Sequence, residues 1–110
     1  MSVLNINDLL LSSNKCFRLI LQPDNNLVIY QVSTGKALWS SGTMNSGATK
    51  ATMQIDGNFV LYNSSNQAKW STGTSGNPGA YLVMQDDGNL VVYTPTGQAK
   101  WASGTMTSCS

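Results

Sequence analysis

One nine-residue pattern occurs three times in this chain of 110 residues, and that repetition constrains the fold more than any other feature. Gln22-x-Asp24-x-Asn26-x-Val28-x-Tyr30 returns as Gln54-x-Asp56-x-Asn58-x-Val60-x-Tyr62 and again as Gln85-x-Asp87-x-Asn89-x-Val91-x-Tyr93. The glutamines are 32 and 31 residues apart, and Trp39, Trp70 and Trp101 recur at intervals of 31. The single slip lies between Tyr30 and Trp39, nine residues apart where the later Tyr–Trp pairs are eight, which puts one extra residue near Thr34-Gly35. The units also end alike, on Trp39-Ser40-Ser41-Gly42-Thr43, Trp70-Ser71-Thr72-Gly73-Thr74 and Trp101-Ala102-Ser103-Gly104-Thr105. Self-similarity at this period means copies of one supersecondary unit that share a core. The chain therefore reads as one domain, 1–110, with repeats of about 16–47, 48–78 and 79–110.

Within each unit the apolar runs are short, alternating and rich in β-branched residues: 17–21, 27–30, 59–62 and 90–93. Gly, Ser, Thr and Asn separate them, and no segment carries a helical apolar period. The expectation is an all-β fold. Three small sheets around a pseudo-axis would each bury one face against the others and leave few exposed edges. The tryptophans belong near that axis, as the largest apolar bodies available to the core.

Strand alternation puts the five motif residues on one face and sends Leu21, Leu27, Ile29, Met53, Phe59, Leu61, Met84, Leu90 and Val92 to the core. The turns at Asp24-Asn25-Asn26, Asp56-Gly57-Asn58 and Asp87-Gly88-Asn89 decide the cross-strand partners. A loop of three residues keeps the polar set together and is expected to place Gln54 opposite Val60. One Gln, Asp, Asn, Tyr hydroxyl and Val on a small patch suit a pyranose. Asp only accepts hydrogen bonds, the amides do both, and the phenol takes either role, while Val meets the C–H face of a sugar ring. Asp and Asn also build turns, so those two types alone divide evenly between turn and site. Gln and Tyr decide for a site, because turn chemistry gives no reason to keep them in all three units. Three of the five acidic residues occupy the same motif position.

Composition removes the competing chemistries. The chain has no His and no Glu, which excludes His-based triads and most zinc sites. A glycosidase using paired aspartates is disfavoured, since adjacent Asp86 and Asp87 fall on opposite faces of a strand. The Asp-x-Asn spacing lacks the later ligands of a calcium loop. No catalytic residue, metal or cofactor is expected. Charged residues make up 10% of the chain and the net charge is +1, so no field attracts nucleic acid. No apolar run is long enough to span a bilayer, and 9–11 is too short for a signal peptide.

The triplicate Gln-x-Asp-x-Asn-x-Val-x-Tyr motif with one Trp per repeat resembles the monocot mannose-binding, or bulb-type, lectins related to snowdrop agglutinin. The resemblance covers nearly the whole chain. It implies a β-prism of three four-stranded antiparallel sheets with one mannose site on each. By that likeness Asp24, Asp56 and Asp87, with Asn26, Asn58 and Asn89, would hold the axial 2-hydroxyl. Gln22, Gln54 and Gln85 would contact the 3-hydroxyl, and Tyr30, Tyr62 and Tyr93 the 4-hydroxyl. Val28, Val60 and Val91 would pack on the ring carbons. The implied function is a non-enzymatic lectin for α-mannose glycans and glycoproteins in defence or pathogen recognition; the alternative is a structural or inhibitory β-prism scaffold that binds no sugar. A homodimer or higher oligomer is implied, located outside the cell, as in mucus, with the cytoplasm as the alternative. The internal disulfide usual in plant members is missing, its places being taken by Asn25 and about Thr49. A chain starting at Met1 with no visible leader is closer to the animal members of fish skin and mucus.

Cys16 and Cys109 are related by the repeat arithmetic. Cys16 lies six residues before Gln22, as Ala48 does before Gln54 and Gly79 before Gln85; Cys109 lies eight after Trp101, as Gly47 does after Trp39 and Pro78 after Trp70. The pair thus corresponds to the neighbours Gly47-Ala48 and Pro78-Gly79, so the two ends of the chain should meet. A disulfide closing the ring is the leading expectation. An intermolecular bridge remains open, because one terminal segment could pair with a neighbouring chain by strand exchange as in plant relatives, and two free thiols are the third outcome.

Overall fold

The structure is a computed structural model and describes residues 3–109; Met1, Ser2 and Ser110, the extreme ends of the expected domain, lie outside the described residues. Eleven strands form three antiparallel sheets, and no helix is present among the described residues. The first sheet orders β2 (Leu9–Leu11), β3 (Phe17–Leu21), β4 (Leu27–Gln31) and β5 (Lys36–Ser40). The second orders β1 (Val3–Asn5), β6 (Ala48–Met53), β7 (Phe59–Asn63) and β8 (Ala68–Ser71). The third holds β9 (Tyr81–Met84), β10 (Leu90–Tyr93) and β11 (Ala99–Ala102).

The expectation of four strands in every sheet is therefore corrected to four, four and three. The chain's N-terminal segment supplies the outer strands of two sheets, β2 beside β3 and β1 beside β6. Among the described residues no such strand covers β9. The segment after β11 runs instead to the Asp87 turn, where Thr107 N donates to Asp87 O at 2.8 Å, and ends at Cys109.

The inward residues of the three central hairpins make one core. Phe17, Leu19, Leu21, Leu27, Ile29, Phe59, Leu61, Leu90 and Val92 are all buried in it, which is what the period-two alternation demands. Trp39, Trp70 and Trp101 pack against this core and on one another, edge to face, with ring centroids 5.3, 5.6 and 5.7 Å apart. The ring planes are inclined by 64° to 76°, the edge-to-face arrangement aromatic quadrupoles favour. The extra residue of the first repeat sits where the spacing puts it. Gly35 N donates to Gln31 O, four residues back, whereas Asn66 N and Gly97 N reach Asn63 O and Thr94 O, three residues back.

Cys16 and Cys109 form a disulfide within the chain, with Cα atoms 5.5 Å apart and 93 residues of separation. The ends of the chain meet as the repeat register requires.

Candidate functional site

Each motif is built on a hairpin loop of three residues. Asn25 N, Gly57 N and Gly88 N donate to the carbonyls of Gln22, Gln54 and Gln85, and the amides of those glutamines donate to Asn26 O, Asn58 O and Asn89 O. The third loop residue is left-handed in every copy, φ being +77° at Asn25, +92° at Gly57 and +89° at Gly88. A tight turn followed by a left-handed residue is a standard three-residue hairpin. The odd length is as expected, but the partner is not. Gln54 faces Asn58, and Val60 faces Thr52. The loop sits earlier in the motif than the sequence suggested because the left-handed residue precedes the asparagine, and a shift of partner by two leaves every side chain on its face.

The aspartate does turn work with one oxygen. Asp24 Oδ1, Asp56 Oδ1 and Asp87 Oδ1 accept from the backbone N of Asn26, Asn58 and Asn89 at 3.0, 2.9 and 3.0 Å. In the second and third copies Oδ2 has no hydrogen-bond partner among the described residues. In the first copy Gln22 Nε2 also reaches the carboxylate, at 3.1 Å to Oδ1 and 3.2 Å to Oδ2.

The asparagines are oriented by residues that motif reading passed over. Asn58 Oδ1 accepts from Thr72 Oγ1 at 3.2 Å and Thr74 N at 3.1 Å. Asn26 Oδ1 accepts from Ser41 Oγ and Thr43 N, and Asn89 Oδ1 from Ser103 Oγ, Gly104 N and Thr105 N. The carbonyl end of each amide is thus committed to the protein, while the Nδ2 donor has no protein partner among the described residues. The signal was present in the Ser/Thr-Gly-Thr that follows every Trp.

Gln and Tyr meet across the face. Tyr30 Oη donates to Gln22 Oε1, and Gln54 Nε2 and Gln85 Nε2 donate to Tyr62 Oη and Tyr93 Oη. These bonds span the positions of Val28, Val60 and Val91, which are 3%, 3% and 2% exposed. The valines are a floor beneath the polar groups and not an open apolar spot. A bulge lies immediately before each tyrosine, between Ile29 and Tyr30, Leu61 and Tyr62, and Val92 and Tyr93. Bulges of this kind re-aim a side chain, and their threefold recurrence ties them to the site. All fifteen motif residues are therefore gathered into three like groups, one per sheet. A depression of about 490 Å³ lined by Thr52, Met53, Gln54, Ile55 and Asp56 borders the second group.

No protein-family model matches the chain. A monocot mannose-binding lectin from Gastrodia elata superposes with a TM-score of 0.83 at 37% identity, over 96% of this chain and 93% of that one. The Marasmius oreades lectin gives 0.81 at 32% identity, over 94% and 91%. This chain belongs to the bulb-type lectin family. Among curated proteins, the B-type lectin plumieribetin of Scorpaena plumieri is 43% identical over 58 residues, 53% of this chain and 49% of its own length. The match thus spans about half of that fish lectin. This bulb-type lectin is all β among the described residues, with its repeated motif carried on a hairpin of each sheet.

Proposed function

We propose that this lectin binds α-mannose at three shallow faces, one per sheet, without catalysing any reaction. The observation that carries the reading is the threefold assembly of Gln, Asp, Asn and Tyr over a valine floor, with each asparagine carbonyl tied down and its Nδ2 free to donate. On this reading the carboxylate and the Asn amide take the axial 2-hydroxyl, Gln the 3-hydroxyl and Tyr the 4-hydroxyl. Glucose, whose 2-hydroxyl is equatorial, leaves those two groups unpaired and is rejected. The Polygonatum cyrtonema lectin, 34% identical with a TM-score of 0.67, was solved with a monomannoside, and the Tarin lectin, 30% identical, with trimannose.

A shallow face buries little of a monosaccharide, so each site is weak, on the order of millimolar. Avidity comes from three sites per chain, multiplied in a homodimer or larger oligomer, acting on one branched glycan. A related lectin from Mycobacterium smegmatis forms a domain-swapped dimer. Recognition of mannose on microbial or parasite surfaces, outside the cell where a Cys16–Cys109 bridge persists, is the role that fits this chemistry. Mannan-column retention with elution by methyl α-mannoside, and not by methyl α-glucoside, tests the reading. Passage through the column unretained would leave the β-prism as a scaffold.

A further inference from the structure

The three faces are alike in their motifs and unlike in what lies across from the tyrosine. Arg18 pairs with Tyr30, Lys50 with Tyr62, and Tyr81 with Tyr93. The Arg18 guanidinium lies 5.4 Å from the Tyr30 ring centroid and Lys50 Nζ lies 5.9 Å from that of Tyr62. In the third copy a second ring takes this place, Tyr81 and Tyr93 having centroids 5.9 Å apart and planes tilted by 32°. Covering the tyrosine therefore needs no charge, since Tyr81 does it with none.

The two charges are also uncommitted. Neither Arg18 nor Lys50 forms an ion pair or a hydrogen bond through its head group among the described residues, and Arg18 Nε is buried without a partner. Stacking on a ring leaves the edge N–H donors of a guanidinium available for an oxyanion. The acids are distributed the opposite way. The residue between Gln and Asp is Pro23 in the first copy and Ile55 in the second, but Asp86 in the third, where Ser13 Oγ and Asn14 N bind it at 3.0 and 2.8 Å. The first and second faces thus set a cation across from the tyrosine, and the third sets an uncharged ring there.

We infer that the first and second faces are specialised for mannose bearing an anionic ester, a phosphate or sulfate, held by Arg18 and Lys50, and that the third is confined to neutral mannose. The inference rests on the mannose reading above. The cation stands at the tyrosine end of the face, four residues along the strand from the asparagine. It therefore meets the side of the sugar that carries the 4- and 6-positions, and with the 4-hydroxyl taken by the tyrosine on that reading, the primary 6-hydroxyl is the group there left to carry the ester. A charge-assisted contact at a partly exposed position strengthens binding about three- to tenfold at low salt, and salt screens it.

The test is an NMR titration of the ¹⁵N-labelled full chain with methyl α-mannoside, mannose 6-phosphate, mannose 6-sulfate and inorganic phosphate. Amide signals near Asn26, Asn58 and Asn89 report the faces separately. The expected result is a three- to tenfold preference for the charged sugars at the first and second faces, lost in 1 M salt, and a preference for methyl α-mannoside at the third. Preference for one ester alone identifies the source of the anion. R18Q and K50Q should each abolish the preference at its own face only, and Y81K should create one at the third. Equal affinity for neutral and charged sugars at all faces overturns this inference and leaves the mannose reading standing. So does binding of inorganic phosphate as strong as that of the phosphosugar, which would mark a bare anion site. Failure of every sugar to bind overturns both.

Discussion

Asn58 and Thr74 lie sixteen residues apart and are joined by a 3.1 Å hydrogen bond from Thr74 N to Asn58 Oδ1. Thr74 Oγ1 donates in turn to Gly57 O at 2.6 Å, so one threonine fixes both the Asn58 amide and the loop that carries it. The equivalent hydroxyls of Thr43 and Thr105 donate to Asn25 O and Gly88 O at 2.8 and 2.6 Å. On the proposed mannose reading, stability and recognition share the segment that follows each tryptophan. Thr74→Val keeps the shape and deletes the hydroxyl, leaving a carbonyl unpaired at a site where the threonine is buried. The expected cost is about 1–3 kcal/mol in a denaturant titration, with mannose affinity falling at the second face alone. Unchanged stability would show that water replaces the hydroxyl.

Asp56 tests the division of labour within one carboxylate. Its Oδ1 accepts from Asn58 N, and its Oδ2 has no hydrogen-bond partner among the described residues. Asp56→Ala should remove the second site while costing only about 1 kcal/mol for the lost turn bond. Calorimetry with a monosaccharide should then show the stoichiometry down by one third. A stoichiometry that does not move would make this aspartate a turn residue only.

Asn58→Asp probes the donor. The carbonyl side of the amide is already occupied by Thr72 Oγ1 and Thr74 N, and a carboxylate accepts those bonds equally well. What disappears is Nδ2, and a second negative charge appears beside Asp56. The variant should fold with near-native stability and lose mannose at the second face; the triple change at Asn26, Asn58 and Asn89 should abolish agglutination. Retained agglutination would show that the asparagine donor is dispensable.

The sequence made the threefold architecture legible because each repeat must solve the same packing problem, and Phe17, Leu19, Phe59, Leu61, Leu90 and Val92 keep their alternation. The grouping of the motif residues was legible because Gln and Tyr have no turn role to explain their recurrence, and the two meet across the face in every copy. The register was not. Loop parity followed from the need to keep polar groups together, but the partner of Gln54 depended on which loop residue turns left-handed, and Asn25 in place of glycine hides that position in the first repeat. The missing fourth strand of the third sheet was hidden for a different reason. Residues 103–109 carry the repeat signature, yet the chain leads them to the disulfide junction and not to the edge of β9.

The Cys16–Cys109 bond closes the ring of sheets at the junction where the other two repeats are joined by peptide bonds. Cross-linking residues 93 apart reduces the freedom of the unfolded chain, and for a loop of this size the chain-entropy account gives about 4 kcal/mol. Cys16→Ser with Cys109→Ser should lower the melting temperature markedly without changing sugar specificity. Non-reducing electrophoresis of the parent protein should show a monomer whose mobility shifts on reduction. A covalent dimer would mean that the bridge is exchanged between chains.

Gly57 offers the sharpest single-site test of the fold. Its φ of +92° is strained for any residue with a side chain, and a Cβ there would lie 2.1 Å from Asn77 O, a backbone atom of the following junction. Asn25 holds the equivalent place in the first repeat at φ +77°, and its Nδ2 donates to Ala48 O at 2.9 Å. The first loop therefore leaves room for a side chain where the second is pressed against the chain. Gly57→Ala combines left-handed strain with a clash against backbone and should cost about 3 kcal/mol or more. Asn25→Gly keeps the turn and loses one hydrogen bond, a change of about 1 kcal/mol. Parallel denaturant titrations compare the two. Equal losses would mean that the second junction yields to a methyl group, and the close approach of the two loops would then not be what makes glycine necessary.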